Sequence, residues 1–533
     1  MSGRFSTIWQ RAARRPRLVA LGLGAISATG FEPLSLWPVG FAALIGFIAL
    51  LAQTVTRKQA AILGWCFGFA HFTIGLNWIA TAFTYQANMP AILGWAAVPL
   101  LSVYLAVYPA LACWAARWLA GERGGWALVL AFAGCWTVTE WLRAWVFTGF
   151  AWNPLASWLL GGFERPGIAL LLPWLGTYAL SALAALIAGT LYWLLARQRW
   201  VWAGFGSAAL VAAMFIPGGA TGDSTLRYTV VQPDIRQPTL NRPEFYERNF
   251  LRLANLSYPQ SESESESESE GARRLVLWPE SGLVDILADG HPQRYYRSFN
   301  YGGSAQASRQ RLAAIIGEDS MLLTGGIDFE IENDRTVGAY NAVQAVNDEG
   351  ELVAQYYKAH LVPYGEYLAL RWLLEPLGAT RLVPGAFDFL PGPGPQTLDL
   401  GEFGQVGIQV CYEIVFSGQV VEDGNRPDFL FNDSNDGWFG TWGPPQHLAQ
   451  ARLRAIEEGL PVLRSTTTGI SGVIDARGRV TDHIPSLEAA RLDGTVPAAL
   501  PPTLFARLGN ALPLGWAVLL LVAALLVRRR GLG

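Results

Sequence analysis

Three residues in this 533-residue chain have the types and settings for covalent acyl chemistry: Glu280, Lys358 and Cys411. Cys411 is the only cysteine outside the long apolar segments, and it follows V-G-I-Q-V, in which Val406, Ile408 and Val410 alternate with Gly407 and Gln409. That period of two predicts a short strand with the thiol at its end. Glu280 ends a second apolar run, Leu275-Val276-Leu277-Trp278-Pro279, and Lys358 closes a third at Tyr356-Tyr357. A lone cysteine is commonly a small buried hydrophobe. Beside a carboxylate and an ammonium it is a different object, because a thiol becomes nucleophilic as thiolate when a base takes its proton or a cation steadies its charge.

The lysine stands out by scarcity. Of 39 basic residues only Lys58 and Lys358 are lysines, so the chain uses arginine almost wherever a positive charge suffices. A compact ammonium can approach a nucleophile or an oxyanion as a point charge, which a planar guanidinium cannot. Two further carboxylates, Glu366 in V-P-Y-G-E-Y and Glu413 in C-Y-E, lie close to these residues in sequence. Each could orient Lys358 or receive a proton, and each could equally be half of a structural ion pair. His360 and His447 have no partners at metal-ligand spacing, and the glycines form no phosphate loop after a strand. Neither a metal nor a nucleotide cofactor is expected.

These residues need a scaffold, and from Leu226 onward the pattern supplies one. Short strands are expected at Tyr228–Gln232, Leu275–Trp278, Met321–Ile327, Tyr340–Val346, Leu352–Tyr357, Val406–Val410, Phe429–Phe431, Val462–Ser465 and Gly472–Asp475. Helical patterns at Pro243–Leu256, Ser304–Ile316 and Gln446–Glu458 interleave with them, which makes a layered α/β domain. Five Ser-Glu repeats from Ser261 to Glu270 interrupt it. Nothing in them can be buried, so they read as a solvated insertion.

The rest of the chain belongs to a membrane. Hydrophobic residues make up 51% of it, charged residues only 15%, and there are 22 tryptophans. Apolar stretches near 18–31, 36–55, 60–83, 90–118, 125–147, 168–196, 199–216 and 511–527 are the candidate spans, about eight helices. The expected layout is a membrane domain over 1–216, a catalytic domain over 217–508, and a last span with a basic tail over 509–533. Arginines at the N-terminus, Arg57-Lys58, Arg117 with Arg123, Arg197 with Arg199, and Arg528-Arg529-Arg530 mark every second boundary. By the positive-inside rule both termini face the cytoplasm and residues 217–510 lie outside, which in a Gram-negative cell is the periplasm. A net charge of −3 and the lack of a basic arm argue against nucleic acid as a partner.

In order and spacing, W-P-E, Y-Y-K-A-H-L-V-P-Y-G-E-Y and Q-V-C-Y-E resemble the Glu-Lys-Cys motifs of the nitrilase (carbon–nitrogen hydrolase) superfamily. Joined to a hydrophobic N-terminal half, they are similar to the apolipoprotein N-acyltransferase family of the bacterial inner membrane. The resemblance implies an α-β-β-α sandwich. It also implies an acyl chain moved from a phospholipid, through a Cys411 thioester, to the amine of a diacylglyceryl-modified lipoprotein, with Glu280 as general base and Lys358 and the Tyr412 N–H on the oxyanion. Glu366 and Glu413 match positions that matter to the family's site, and Tyr412 and Trp438 match aromatics beside it. Asn241 stands where the family can carry a tryptophan. E-W-L-R, containing Glu140 and Arg143, also matches. There the i,i+3 pair can neutralise itself, or Arg143 can help hold a lipid phosphate. A membrane-tethered amidase with water as acceptor would share the three central residues, and a non-catalytic scaffold would not need them intact.

Overall fold

The structure, a computed structural model, describes residues 15–85, 90–121, 125–259, 273–377 and 388–530. The Ser-Glu repeat lies outside the described residues, as do Arg4, Arg11, Arg14 and Arg123.

Helices form in all eight apolar stretches: Pro16–Ser27, Trp37–Ala52, Arg57–Gly75, Ile92–Ala120, Trp126–Arg143, Ile168–Ala196, Trp200–Met214 and Ala511–Arg530. Among the described residues, three are long and apolar enough to cross a membrane by themselves, Ile92–Ala120, Ile168–Ala196 and Ala511–Arg530. A fourth is reached if Arg57–Gly75 and Ile79–Tyr85, bent by 51°, count as one span. The others differ from the expectation mainly in length. Pro16–Ser27 has 12 residues and Trp37–Ala52 has 16, about 18 and 24 Å at 1.5 Å per residue, against a hydrocarbon core of roughly 30 Å.

From Asp223 onward the chain has the expected layers. Sheet one runs β12-β1-β2-β3-β4-β5 and sheet two β11-β10-β9-β8-β7-β6. In sequence these strands are β1 Asp223–Gln232, β2 Arg274–Leu277, β3 Ser320–Glu332, β4 Arg335–Asn347, β5 Leu352–Tyr357, β6 Thr397–Asp399, β7 Gln405–Val410, β8 Phe429–Ser434, β9 Val462–Thr466, β10 Ser471–Ile474, β11 Val480–Ile484 and β12 Ala490–Pro497. Each sheet has a parallel centre, β1-β2-β3 in one and β7-β8-β9 in the other, flanked by antiparallel strands. The β3–β4 hairpin turns on Asn333-Asp334 at φ of 48° and 67°, and these two residue types tolerate that left-handed pair better than most.

One apolar core joins the facing sheets, with Val230, Leu277, Leu323 and Val343 from the first and Val406, Ile408, Phe431 and Leu463 from the second. Outside sheet one, Phe250, Leu253, Leu312 and Ile316 of two helices pack on Val276, Leu322 and Val346. Outside sheet two lies Gly443–Glu458, whose Leu448, Ala451 and Ala455 face the sheet while Leu453 and Ile456 join the core of the helical bundle. That helix is the shared wall between the halves.

Candidate active site

The cluster is built where strands end. Cys411 follows β7 at φ 51°, a left-handed backbone that a non-glycine residue adopts at a cost of about 1 kcal/mol and that recurs at functional sites. The chain then turns at once into the 3₁₀ segment Cys411–Val415. Glu280 comes three residues beyond β2 and is followed by Ser281 at φ 57°. A side chain on Gly325 of β3 would come within 2.6 Å of the Glu280 Cα, so glycine there is a condition of the close approach. Lys358 directly follows β5, and its N–H donates to the Asn341 carbonyl at 2.8 Å.

These side chains share one buried site, with Cys411 4% exposed, Lys358 1% and Glu280 7%. The Lys358 ammonium donates to Glu366 Oε1 at 3.0 Å and stands 3.9 Å from Glu280 Oε1. Burial opposes its charge, but Glu366 and Glu280 outweigh burial and hold its pKa above the usual lysine range. Burial, then Glu280, push the Cys411 thiol well above its ordinary pKa, and Lys358 only partly offsets them. The resting thiol is therefore protonated, and the arrangement can make a thiolate only as its proton moves to a base.

Glu280 is aimed by two donors. The Asn341 amide gives Oε1 a hydrogen bond at 2.6 Å, and the Asn435 backbone N–H gives Oε2 one at 2.7 Å. The same Asn341 amide donates to Glu366 Oε1 at 3.0 Å, so one side chain on β4 ties both carboxylates to the lysine. Nothing in the sequence singled out Asn341. It lies in the paired part of the β3–β4 hairpin, 17 residues before Lys358, and only the register of β4 against β5 brings the two together.

Glu413 has a different task from Glu366. Its Oε1 accepts from the Tyr356 hydroxyl at 2.8 Å, the Ala359 N–H at 2.8 Å and the His360 N–H at 3.0 Å, and Oε2 accepts from the Val410 N–H at 2.8 Å. The carboxylate thus straps the end of β5 to the end of β7. Glu366 contacts the lysine directly, whereas Glu413 fixes the two loops that carry Lys358 and Cys411.

His447 is a second residue the sequence did not place. Its Nε2 meets the Cys411 carbonyl oxygen at 3.0 Å. A carbonyl can only accept, so that nitrogen carries the proton, leaving Nδ1 to accept from Arg464, whose NH2 is 3.0 Å away. Arg464 also pairs with Asp436 at 2.7 Å. Burial disfavours the Asp436 charge, but the Arg464 guanidinium more than compensates and holds the carboxyl well below the usual range. Burial, then Arg464, keep His447 neutral. This wholly buried chain of groups ends on the peptide of the left-handed Cys411 and braces it.

The remaining expected residues sit around this centre. Tyr412 reaches the helical half, its hydroxyl donating to the Gly149 carbonyl at 3.4 Å and its ring stacked 6.3 Å from Trp152. Trp438 is half-buried, edge-on to Tyr85 at 5.7 Å between centroids. Arg143, weighed as half of an ion pair or as a phosphate ligand, is engaged by protein groups. Its guanidinium is 3% exposed, and NH1 donates to the Phe150 and Trp152 carbonyls at 2.9 and 2.8 Å. With Glu140 at 4.0 Å it organises the loop that Tyr412 rests on, so an outside anion would first have to displace protein carbonyls.

Comparison with known proteins bears on this arrangement. A model of the apolipoprotein N-acyltransferase N-terminal domain matches residues 23–190, and one of the carbon-nitrogen hydrolase domain matches 260–496. The apolipoprotein N-acyltransferase of Rhodopseudomonas palustris is 33% identical over 540 residues, covering 98% of this chain and 96% of the relative. The chain belongs to the apolipoprotein N-acyltransferase family. The family member from Shewanella oneidensis is 30% identical, with 96% of this chain and 94% of that one covered. An amidase from Nesterenkonia sp. is a remote structural neighbour, at 16% identity and a TM-score of 0.31 over 52% of this chain and 94% of the other.

Proposed function

We propose that the protein transfers an acyl chain from a membrane phospholipid, through a Cys411 thioester, to the N-terminal amine of a diacylglyceryl-cysteine on a lipoprotein. The observation that carries this reading is the buried Glu280–Lys358–Glu366 cluster around Cys411, seated on a loop of the helical half through Tyr412. Membership of a family named for the activity supports it.

In the first step Glu280 takes the Cys411 proton as the sulfur adds to the ester carbonyl. The Lys358 ammonium and the Tyr412 backbone N–H balance the oxyanion, which needs donors already in place. Collapse breaks the ester C–O bond, and the lysophospholipid alkoxide leaves with the proton from Glu280. In the second step the neutral acceptor amine adds to the thioester, its proton passes to Glu280, and the C–S bond breaks. Glu280 then returns the proton to sulfur, and the site is regenerated with no net proton change. Glu366 keeps the ammonium pointed at the reaction, and Trp438 and Tyr412 border the space the acyl chain would use.

All eight helices serve as membrane spans in this proposal, dividing the chain into 1–216, 217–508 and 509–533 in the inner membrane. Contacts within the bundle favour one orientation. Arg117 donates to the Leu51 and Ala52 carbonyls, Arg528 donates to those of Trp118 and Leu119, and Arg57 lies over the Trp118 ring, so basic helix ends gather at one end. By the charge rule that end is cytoplasmic and the catalytic half is periplasmic.

The deciding experiment uses acyl-labelled phospholipid without lipoprotein. Label should stay on the protein as a thioester released by neutral hydroxylamine, should be absent in Cys411→Ala, and should accumulate very slowly in Glu280→Ala. A diacylglyceryl peptide with a free amine should then discharge it, and an N-acetylated peptide should not. Discharge to water as fast as to the peptide makes the protein a hydrolase. No label from any phospholipid removes the donor from the proposal.

A further inference from the structure

The end of β8 and the turn after it read Asn432-Asp433-Ser434-Asn435-Asp436, and four of these five polar residues have visible work. Asn432 donates to the Gln409 carbonyl at 2.8 Å and accepts from Arg464. Ser434 donates to Asp436 at 2.7 Å, Asn435 holds Glu280 by its N–H, and Asp436 pairs with Arg464. Asp433 is the exception. It is 0% exposed, and neither carboxyl oxygen has a hydrogen-bond partner.

Its position makes that state consequential. In register it lies between Val410 of β7 and Ser465 of β9. Its side chain crosses the space between the sheets, since a Cβ on Gly325 of β3 would be 2.6 Å from Asp433 Oδ2 and 2.6 Å from the Glu280 Cα. The carboxyl is therefore wedged beneath the general base. The charged groups that face it are Glu280 after β2, Lys358 after β5 and Glu413 after β7. Asp436, beyond the end of its own strand, is already neutralised by Arg464. A carboxylate without a donor in such a layer is strongly disfavoured, whereas the neutral acid is far less costly to bury.

We propose that Asp433 is carried as the neutral acid in the working protein, a positioning residue whose loss of a proton would shut the Glu280–Lys358–Cys411 cluster down from the alkaline side. Burial first, and then the Glu280 charge, push this carboxyl far above the carboxylate range, with Lys358 pulling the other way. As the acid, it leaves Lys358 opposite Glu280 and Glu366 alone. As a carboxylate it would add another negative charge to the same buried site, opposing both thiolate formation at Cys411 and the oxyanion that Lys358 must hold. The activity arm of the test rests on the acyl-transfer reading, and the spectroscopic arm does not.

Asp433→Asn keeps the shape of the acid and cannot ionise. In the full-length protein in detergent, the rate of Cys411 labelling from phospholipid should stay within about threefold at pH 7. It should hold its plateau at alkaline pH, where the parent falls roughly tenfold or more, the effect of one added charge at buried range. Infrared difference spectra, parent minus Asp433→Asn, should show a protonated carboxyl C=O band at neutral pH. A carboxylate band there overturns the proposal. So does a loss at pH 7 well beyond tenfold, which would mean that the charged form is needed, and so do coincident alkaline limbs. If phospholipid labels neither protein, the acyl-donor reading fails while the infrared band still decides Asp433. Alkylation of Cys411 then supplies the second readout, since its rise with pH should come earlier in Asp433→Asn, and a coincident rise overturns the proposal.

Discussion

Lys358 donates to a carboxylate at 3.0 Å inside a site that leaves it 1% exposed, so there is room for an ammonium and little for a broader group. Lys358→Arg should lose about 10²-fold or more in thioester formation, close to Lys358→Ala. Near-normal labelling would show that charge alone matters there. Asn341→Ala removes the donor shared by Glu280 and Glu366, and an unmet buried acceptor costs about 1–3 kcal/mol. The expected result is roughly tenfold slower labelling with the fold retained by circular dichroism. His360 gives a stability test. Burial, seconded by Lys358, lowers its pKa from 6.5 to about 4. The unfolded chain then binds a proton between those values that the folded protein refuses, so stability is complete above pH 6.5 and declines as pH falls toward 4. The loss is about 2 kcal/mol after allowance for partial exposure. Thermal unfolding of His360→Asn should show a flatter pH dependence over that window. At this scale the sequence spoke clearly for the residues at the centre of the buried cluster and poorly for those that hold them. Cys411, Lys358 and Glu280 end recognisable strands, while Asn341 and His447 owe their positions to pairing and packing that no local pattern encodes.

The strand ends matter through what ties them together. Glu413 takes three backbone N–H groups and one hydroxyl, joining the loop after β5 to the end of β7. Glu413→Ala would strand these donors in a buried site, a cost of about 3 kcal/mol or more. We expect Glu413→Gln to keep Cys411 reactive toward small thiol reagents with a lowered unfolding temperature, and Glu413→Ala to lose the folded site. A Gln variant that is fully stable but inert toward phospholipid would instead make Glu413 a chemical participant. Elements were legible where period two or an apolar run survived, as in β2, β5 and β7. The three strands that escaped were β6, which is three residues long, and β11 and β12, whose exposed positions outnumber or interrupt their buried ones. The helix Gly443–Glu458 was legible as a helix but not as a buried one. Its sequence carries Gln446, His447, Arg452, Arg454, Glu457 and Glu458, all buried because two different layers cover it.

Those polar groups are the joint of the whole molecule. The Gln446 side chain accepts from Trp152 at 2.8 Å and Asn153 at 3.1 Å and donates to the Glu32 carbonyl at 2.8 Å, while Arg452 donates to the Gly161 and Gly162 carbonyls at 3.0 and 2.7 Å. Gln446→Leu should therefore cost roughly 3 kcal/mol, several buried hydrogen bonds at once, and lower the unfolding temperature of both halves together. Two separated transitions would show that the halves are independent. An impermeant probe outside spheroplasts should reach the catalytic half, and reaction only after lysis would reverse the proposed orientation. The eight-helix count rests on composition, since among the described residues three helices are long and apolar enough to cross a membrane by themselves, or four with the bent pair, and shorter ones such as Pro16–Ser27 are packed among their neighbours. The clamp at Gln446 has one more consequence, for the order of events at the membrane surface. In the proposed reaction a head fixed at a set height cannot bend down to meet its substrates, so each lipid would have to present its carbonyl at that height. The interval between turnovers then becomes a matter of how lipids arrive and depart sideways, and a change in bilayer thickness should alter the rate without touching a single residue of the site.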